Sequence, residues 1–142
     1  MKIEEIENEI VDEFSFFTDW TDKYQYIIEL GHKLNSFPKD RMTDEYKIKG
    51  CQSSVWLVTD IEDGKIKFKA DSDSTIVKGL IALLMRVYNN RTAEEILENP
   101  PDFLKEVGID KHLSPTRKNG LGAMMKQIQL YAAAYKSMNQ EH

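Results

Sequence analysis

The sequence predicts an α+β fold, a small antiparallel sheet with helices packed on one of its faces. Three observations carry that expectation. Apolar residues recur at helical spacing on both sides of a central block. Within the block, residues 54–61 are rich in Val, Ile, Trp and Thr, and residues 65–70 alternate strictly between apolar and charged. Between these runs lies Glu62-Asp63-Gly64-Lys65, and Asp-Gly suits a type I′ turn because Gly accepts positive φ. The order is therefore two helices, a hairpin, then helices.

Taken in order, Ile3, Ile6, Ile10, Phe14 and Phe17 define the buried stripe of a first helix. Thr18 or Asp19 caps a second, whose stripe is Tyr24, Ile27, Ile28, Gly31 and Leu34. Asn35, Ser36 and Pro38 end it, since Pro cannot continue the helical ladder. In the hairpin, Ile66, Phe68 and Ala70 point to the core, and Lys65, Lys67 and Lys69 point to water. A third strand is expected around residues 46–48. Asp73 or Ser74 caps an apolar helix with Ile76, Val77, Leu80, Ile81, Leu84 and Tyr88 inward. Thr92-Ala93-Glu94-Glu95 reads as a capping box. Pro101 suits a first helical position, and Gly108 the residue just past the end of that helix. Ser114-Pro115 opens a further turn, and Leu121, Met124, Ile128, Tyr131 and Tyr135 form the stripe of the last helix.

The 142 residues fit one domain spanning 1–142, large enough to fold without disulfides or a structural metal. A formal charge of −5 argues against non-specific nucleic-acid or anionic-membrane binding, which needs a basic surface. The start, MKIEEIENEI, lacks the basic and apolar blocks of a signal peptide, and the longest apolar run, residues 80–85, is too short to span a bilayer. With a single cysteine there is no internal disulfide, and the expectation is a cytoplasmic protein.

That cysteine is the one side chain with distinctive chemistry. A lone Cys is most often a small buried hydrophobe. Cys51, however, lies in Gly50-Cys51-Gln52-Ser53-Ser54, where an irregular segment meets the hairpin. Gly50 frees the backbone before the thiol, and small polar residues follow it, as at a tip that presents a side chain to a partner. Lys47 and Lys49 are close enough in sequence to favour the thiolate. Metal binding reads poorly: a zinc site needs three or four Cys or His ligands, and His32, His112 and His142 have no ligand at the usual spacing. His112 is expected in a loop. Gly120-Leu121-Gly122 lacks the preceding strand of a phosphate-binding loop.

Four motifs in order carry a resemblance over residues 20–135. They are Lys23-Tyr24 with Ile27-Ile28-Glu29-Leu30-Gly31, then Gly50-Cys51-Gln52-Ser53 with Val55-Trp56. Next comes Asp71-Ser72-Asp73 leading into Ile76-Val77-Lys78-Gly79-Leu80-Ile81, and last His112-Leu113-Ser114-Pro115 with Arg117 and Asn119-Gly120-Leu121. Together they resemble SufE, the sulfur acceptor that works with a cysteine desulfurase in iron–sulfur cluster assembly. The family often has Ser where this chain has Thr116, a mild departure.

The resemblance implies a fold similar to iron–sulfur scaffold proteins. It makes Cys51 the acceptor of a persulfide sulfur, supported by Gly50, Gln52 and Ser53. Asp73 and Arg117 belong to its motifs, as structural groups or as contacts to the site or the desulfurase. The desulfurase would carry the pyridoxal phosphate, this chain would hold no cofactor, and a downstream scaffold would receive the sulfur. Three alternatives stay open: a paralogue serving another desulfurase, a cluster scaffold, and an adaptor with an inert thiol. A persulfide in water is open to small thiols and oxidants. Cys51 is therefore expected to point inward, near the start of the helix at Ile76, over a pocket lined by that helix with Val55 and Leu57.

Overall fold

The computed structural model describes residues 2–34, 37–48 and 54–140. Helix α1 (Ile3–Ser15) buries Ile3, Ile10 and Phe14. Ile6 packs partly buried beside them, and Phe17 lies half-buried beyond the helix end. Helix α2 (Trp20–His32) is opened by Asp19, whose carboxylate accepts the N–H groups of Thr21 at 2.6 Å and Asp22 at 3.4 Å. Of the two expected caps, Asp19 takes the role. Asn35 and Ser36, expected to end this helix, lie outside the described residues.

Helix α3 (Thr75–Tyr88) is the centre of the core. Its expected stripe is buried, and so are Leu83, Met85 and Val87. The buried arc is wide, covered by α1, α2, the hairpin and the last helix, and only the stripe of Thr75, Lys78, Ala82 and Arg86 faces outward. The crossing with α2 is close because two glycines meet there. A Cβ on Gly79 would stand 2.1 Å from the Ile27 carbonyl oxygen, and one on Gly31 would stand 2.8 Å from the Gly79 nitrogen. At the outer end, the Arg86 guanidinium grips the Glu13 carboxylate of α1, with Nη1 2.7 Å from Oε1, and Tyr26 of α2 donates to the same oxygen. These bonds hold the Glu13 carboxyl below the usual glutamate range.

Strands β1 (Val55–Glu62) and β2 (Lys65–Ser72) pair antiparallel, Val55 opposite Ser72 and Glu62 opposite Lys65. Asp63 and Gly64 have φ of 54° and 76°, the two positive values that the expected type I′ turn requires. Ile66, Phe68 and Ala70 are buried, whereas Lys65 and Lys69 are exposed and Lys67 is half-buried. The third strand expected at residues 46–48 is corrected to a single bridge. A 3₁₀ turn (Asp44–Tyr46) takes up Tyr46, so only Lys47 pairs with Trp56, and Ile48 N–H donates to the Val55 carbonyl at 2.8 Å. On the far edge Arg91 bridges Ile66.

The capping box forms as expected, Thr92 and Glu95 exchanging 3.2 Å bonds at the start of α4 (Ala93–Glu98). Pro101 is not the first helical residue. It lies in the turn before α5 (Phe103–Val107), and its carbonyl accepts the Leu104 N–H at 3.2 Å. Gly108 follows α5 with φ 83°, as expected. His112, expected in a loop, is the last residue of the short helix α6 (Ile109–His112). Ser114-Pro115 opens no separate turn but α7 (Pro115–Gln140) itself: the Ser114 hydroxyl accepts the Arg117 N–H at 3.3 Å, and Pro fits the first helical position. Met124 and Ile128 are buried, and Leu121, Tyr131 and Tyr135 are half-buried. Among the described residues no helix is long and apolar enough to cross a membrane.

Candidate functional site

Lys49, Gly50, Cys51, Gln52 and Ser53 lie outside the described residues, but both ends of their segment are placed. The chain enters at Ile48, which is bonded to Val55, and leaves at Ser54, so entry and exit stand side by side at the start of β1. Lys47 is exposed and faces Trp56 across the bridge.

The exit is held tightly. Ser54 N–H donates to Asp73 Oδ1 at 3.0 Å. The Ser54 carbonyl accepts the Asp73 N–H at 3.2 Å and the Ser72 hydroxyl at 2.8 Å. Ser74 is the N-cap residue of α3, without a side-chain capping bond, and its N–H donates to Ser72 Oγ at 3.1 Å. Asp73 is therefore not the helix cap. The ladder that pairs Val55 with Ser72 continues one step, setting Asp73 opposite Ser54, where its main chain and carboxylate extend the sheet. Behind it, Asp71 pairs with Lys78 of α3 at 3.3 Å.

Beneath the start of β1 lies an apolar recess of about 10 Å³ lined by Val55, Val77, Leu80, Ile81, Leu121 and Met124. Arg117, half-buried in the first turns of α7, lines it together with Gly120. Leu57 does not line this recess. It shares the inner face with Val55 but lies about 7 Å further along the strand, and it floors a neighbouring groove of about 440 Å³ between Tyr46, Ile48 and the middle of α7. The fold thus brings Asp73 and Arg117 to the same end of β1 as the cysteine segment. In sequence, Ser72 is only the middle of a motif. Its contacts depend on strand register, which no spacing rule reveals.

His32 is exposed at the end of α2. Among the described residues no group of three or more His, Cys, Asp or Glu is placed to hold a metal ion.

The family model described as "SufE: Fe-S metabolism associated domain" matches residues 8–132. An uncharacterized SufE-like protein of Rhizobium meliloti is 40% identical over 126 residues, 85% of this chain and 90% of the relative. An uncharacterized SufE-like protein of Synechocystis sp. is 37% identical over 127 residues, 89% of this chain and 80% of the relative. The solution structure of a hypothetical protein from Thermus thermophilus shares the fold, with a TM-score of 0.76 and 21% identity over 93% of this chain and 96% of that one. Matches of this extent, to the same family that the four motifs resemble, settle the assignment: the chain belongs to the SufE family of domains associated with Fe–S metabolism.

Proposed function

We propose that the protein is a sulfur carrier: Cys51 accepts sulfur from the persulfide of a pyridoxal-phosphate-dependent cysteine desulfurase and passes it to an iron–sulfur scaffold. The observation that carries this reading is the frame around residues 49–53. Its entry and exit are pinned together at Ile48–Val55 and at Ser54–Asp73, in a chain whose family is associated with Fe–S metabolism.

The Cys51 thiolate attacks the terminal sulfur of the enzyme persulfide. A bond forms between Cys51 Sγ and that sulfur, the enzyme's own S–S bond breaks, and the enzyme cysteine leaves as a thiolate. Sulfur keeps its oxidation level, so the step needs no oxidant or cofactor on this chain. With one cysteine in the sequence, no neighbouring thiol can resolve the product into an internal disulfide. In this reading Cys51 is sheltered in the free protein against the apolar side chains at the start of β1, and partner contacts offset the lost burial when it turns out. Asp73 holds the exit strand, and Arg117 beside the recess is the cation offered to the anionic persulfide and the docking enzyme.

In this reading the protein is an accessory factor of the cytoplasm rather than an enzyme, and its partners are proteins, not nucleic acid or membrane. The test is desulfurase turnover on free cysteine with and without the protein. Wild type accelerates it and Cys51→Ser does not; full stimulation by the variant overturns the carrier mechanism.

A further inference from the structure

The Ser72 hydroxyl is placed where the cysteine segment, the hairpin and the start of α3 meet. Its hydrogen goes to the Ser54 carbonyl at 2.8 Å, and its oxygen receives the Ser74 N–H at 3.1 Å. Ser72 is the one buried polar residue among those described, 9% exposed, so water does not readily replace either bond. From the last position of β2 the side chain thus ties Ser54, the residue by which the chain leaves the Cys51 segment and distant in sequence, to Ser74, the N-cap of α3 two residues on. Asp73 doubles the tie to Ser54 through its main chain and its carboxylate, whereas the hydrogen bond to the Ser74 N–H comes from Ser72.

We infer that Ser72 is a positioning residue for Cys51, fixing the direction in which the segment leaves the sheet relative to α3. The inference rests on Cys51 being the reacting group. A hydroxyl is suited to the task because it donates and accepts at once. An apolar side chain in its place leaves the Ser54 carbonyl with one partner fewer and the Ser74 N–H with none from this side chain. The exit strand then gains freedom at a point three residues from the thiol.

The test compares Ser72→Thr with Ser72→Val. The two side chains have nearly the same shape and both suit a strand, so they differ in one hydroxyl. Cys51, the only thiol, is alkylated with iodoacetamide across pH, at a temperature where unfolding curves show both variants folded. The expected result is that Ser72→Thr reacts as wild type, and that Ser72→Val reacts at least about threefold faster on the high-pH plateau, where the thiol is fully ionised. Equal plateau rates for the two variants, or a slower Ser72→Val, overturn the inference. No desulfurase is present in this assay. Failure here is therefore separate from failure of the sulfur-carrier reading, which desulfurase turnover decides.

Discussion

Replacing Gly79 by alanine tests the packing that holds the site's helix in place. The added methyl would lie 2.1 Å from the Ile27 carbonyl oxygen and 2.7 Å from its carbonyl carbon, both backbone atoms of α2. No rotamer change relieves such contacts, so α2 and α3 must separate by roughly 1 Å, a gap that forfeits a quarter to a half of each dispersion contact across the crossing. Overpacking costs about 1–3 kcal/mol when side chains can yield and more when backbone must move. A gross cost of roughly 3–4 kcal/mol follows, and alanine returns about 1 kcal/mol of helix propensity. The net loss is about 2–3 kcal/mol, a fall in Tm of roughly 10 °C for a chain of this size. Gly122 of α7 is the control, because no atom lies within 4 Å of a Cβ built there. Gly122→Ala should gain about 1 kcal/mol. Urea and thermal unfolding followed by circular dichroism measure both. A Gly79→Ala protein as stable as wild type would refute the account of the crossing.

Glu13→Gln removes the charge from the Arg86 and Tyr26 bonds and should cost about 1–2 kcal/mol at pH 7. Because the folded Glu13 pKa is lowered, its contribution is present above the unfolded value of about 4.3 and is lost as pH falls through the folded one. Urea titrations of wild type and variant should therefore converge in acid below the usual glutamate range; a gap that persists there contradicts the assignment. Asp73→Ala removes the acceptor of the Ser54 N–H and should cost about 1 kcal/mol, while Asp73→Asn, which keeps an oxygen in place, should cost less than half of that. Equal losses in the two Asp73 variants would trace its role to charge rather than to the hydrogen bond.

What the sequence revealed and what it hid divide along local and long-range physics. The Asp63-Gly64 turn, the Thr92–Glu95 box and the Asp19 cap depend on contacts within a few residues, and each stands as expected. The width of the buried arc on α3, which leaves only Thr75, Lys78, Ala82 and Arg86 outward, does not follow from the expected stripe. Leu83 and Val87 lie off the expected stripe and are covered only because α1, α2, α7 and the hairpin enclose the helix. Asp73 reads as a cap because Asp before a helix usually is one; strand register instead sets it opposite Ser54. Pro101 and Ser114-Pro115 differ from expectation for the same local reason. Proline marks the neighbourhood of a helix start, and the surrounding bonds decide which residue is first. Of the site, the motifs point to Asp73 and Arg117, and the fold sets both at the end of β1 beside the cysteine segment. Gly50, Cys51, Gln52 and Ser53 themselves lie outside the described residues.

The central claim, that sulfur travels on Cys51, is tested most directly by intact-protein mass spectrometry after incubation with a cysteine desulfurase and free cysteine. The account predicts that wild type gains the mass of one sulfur atom, that the gain maps to the peptide containing Cys51, and that dithiothreitol removes it. A wild-type protein that stays at its starting mass while the desulfurase turns over, or a Cys51→Ser protein that gains the same mass, would contradict it.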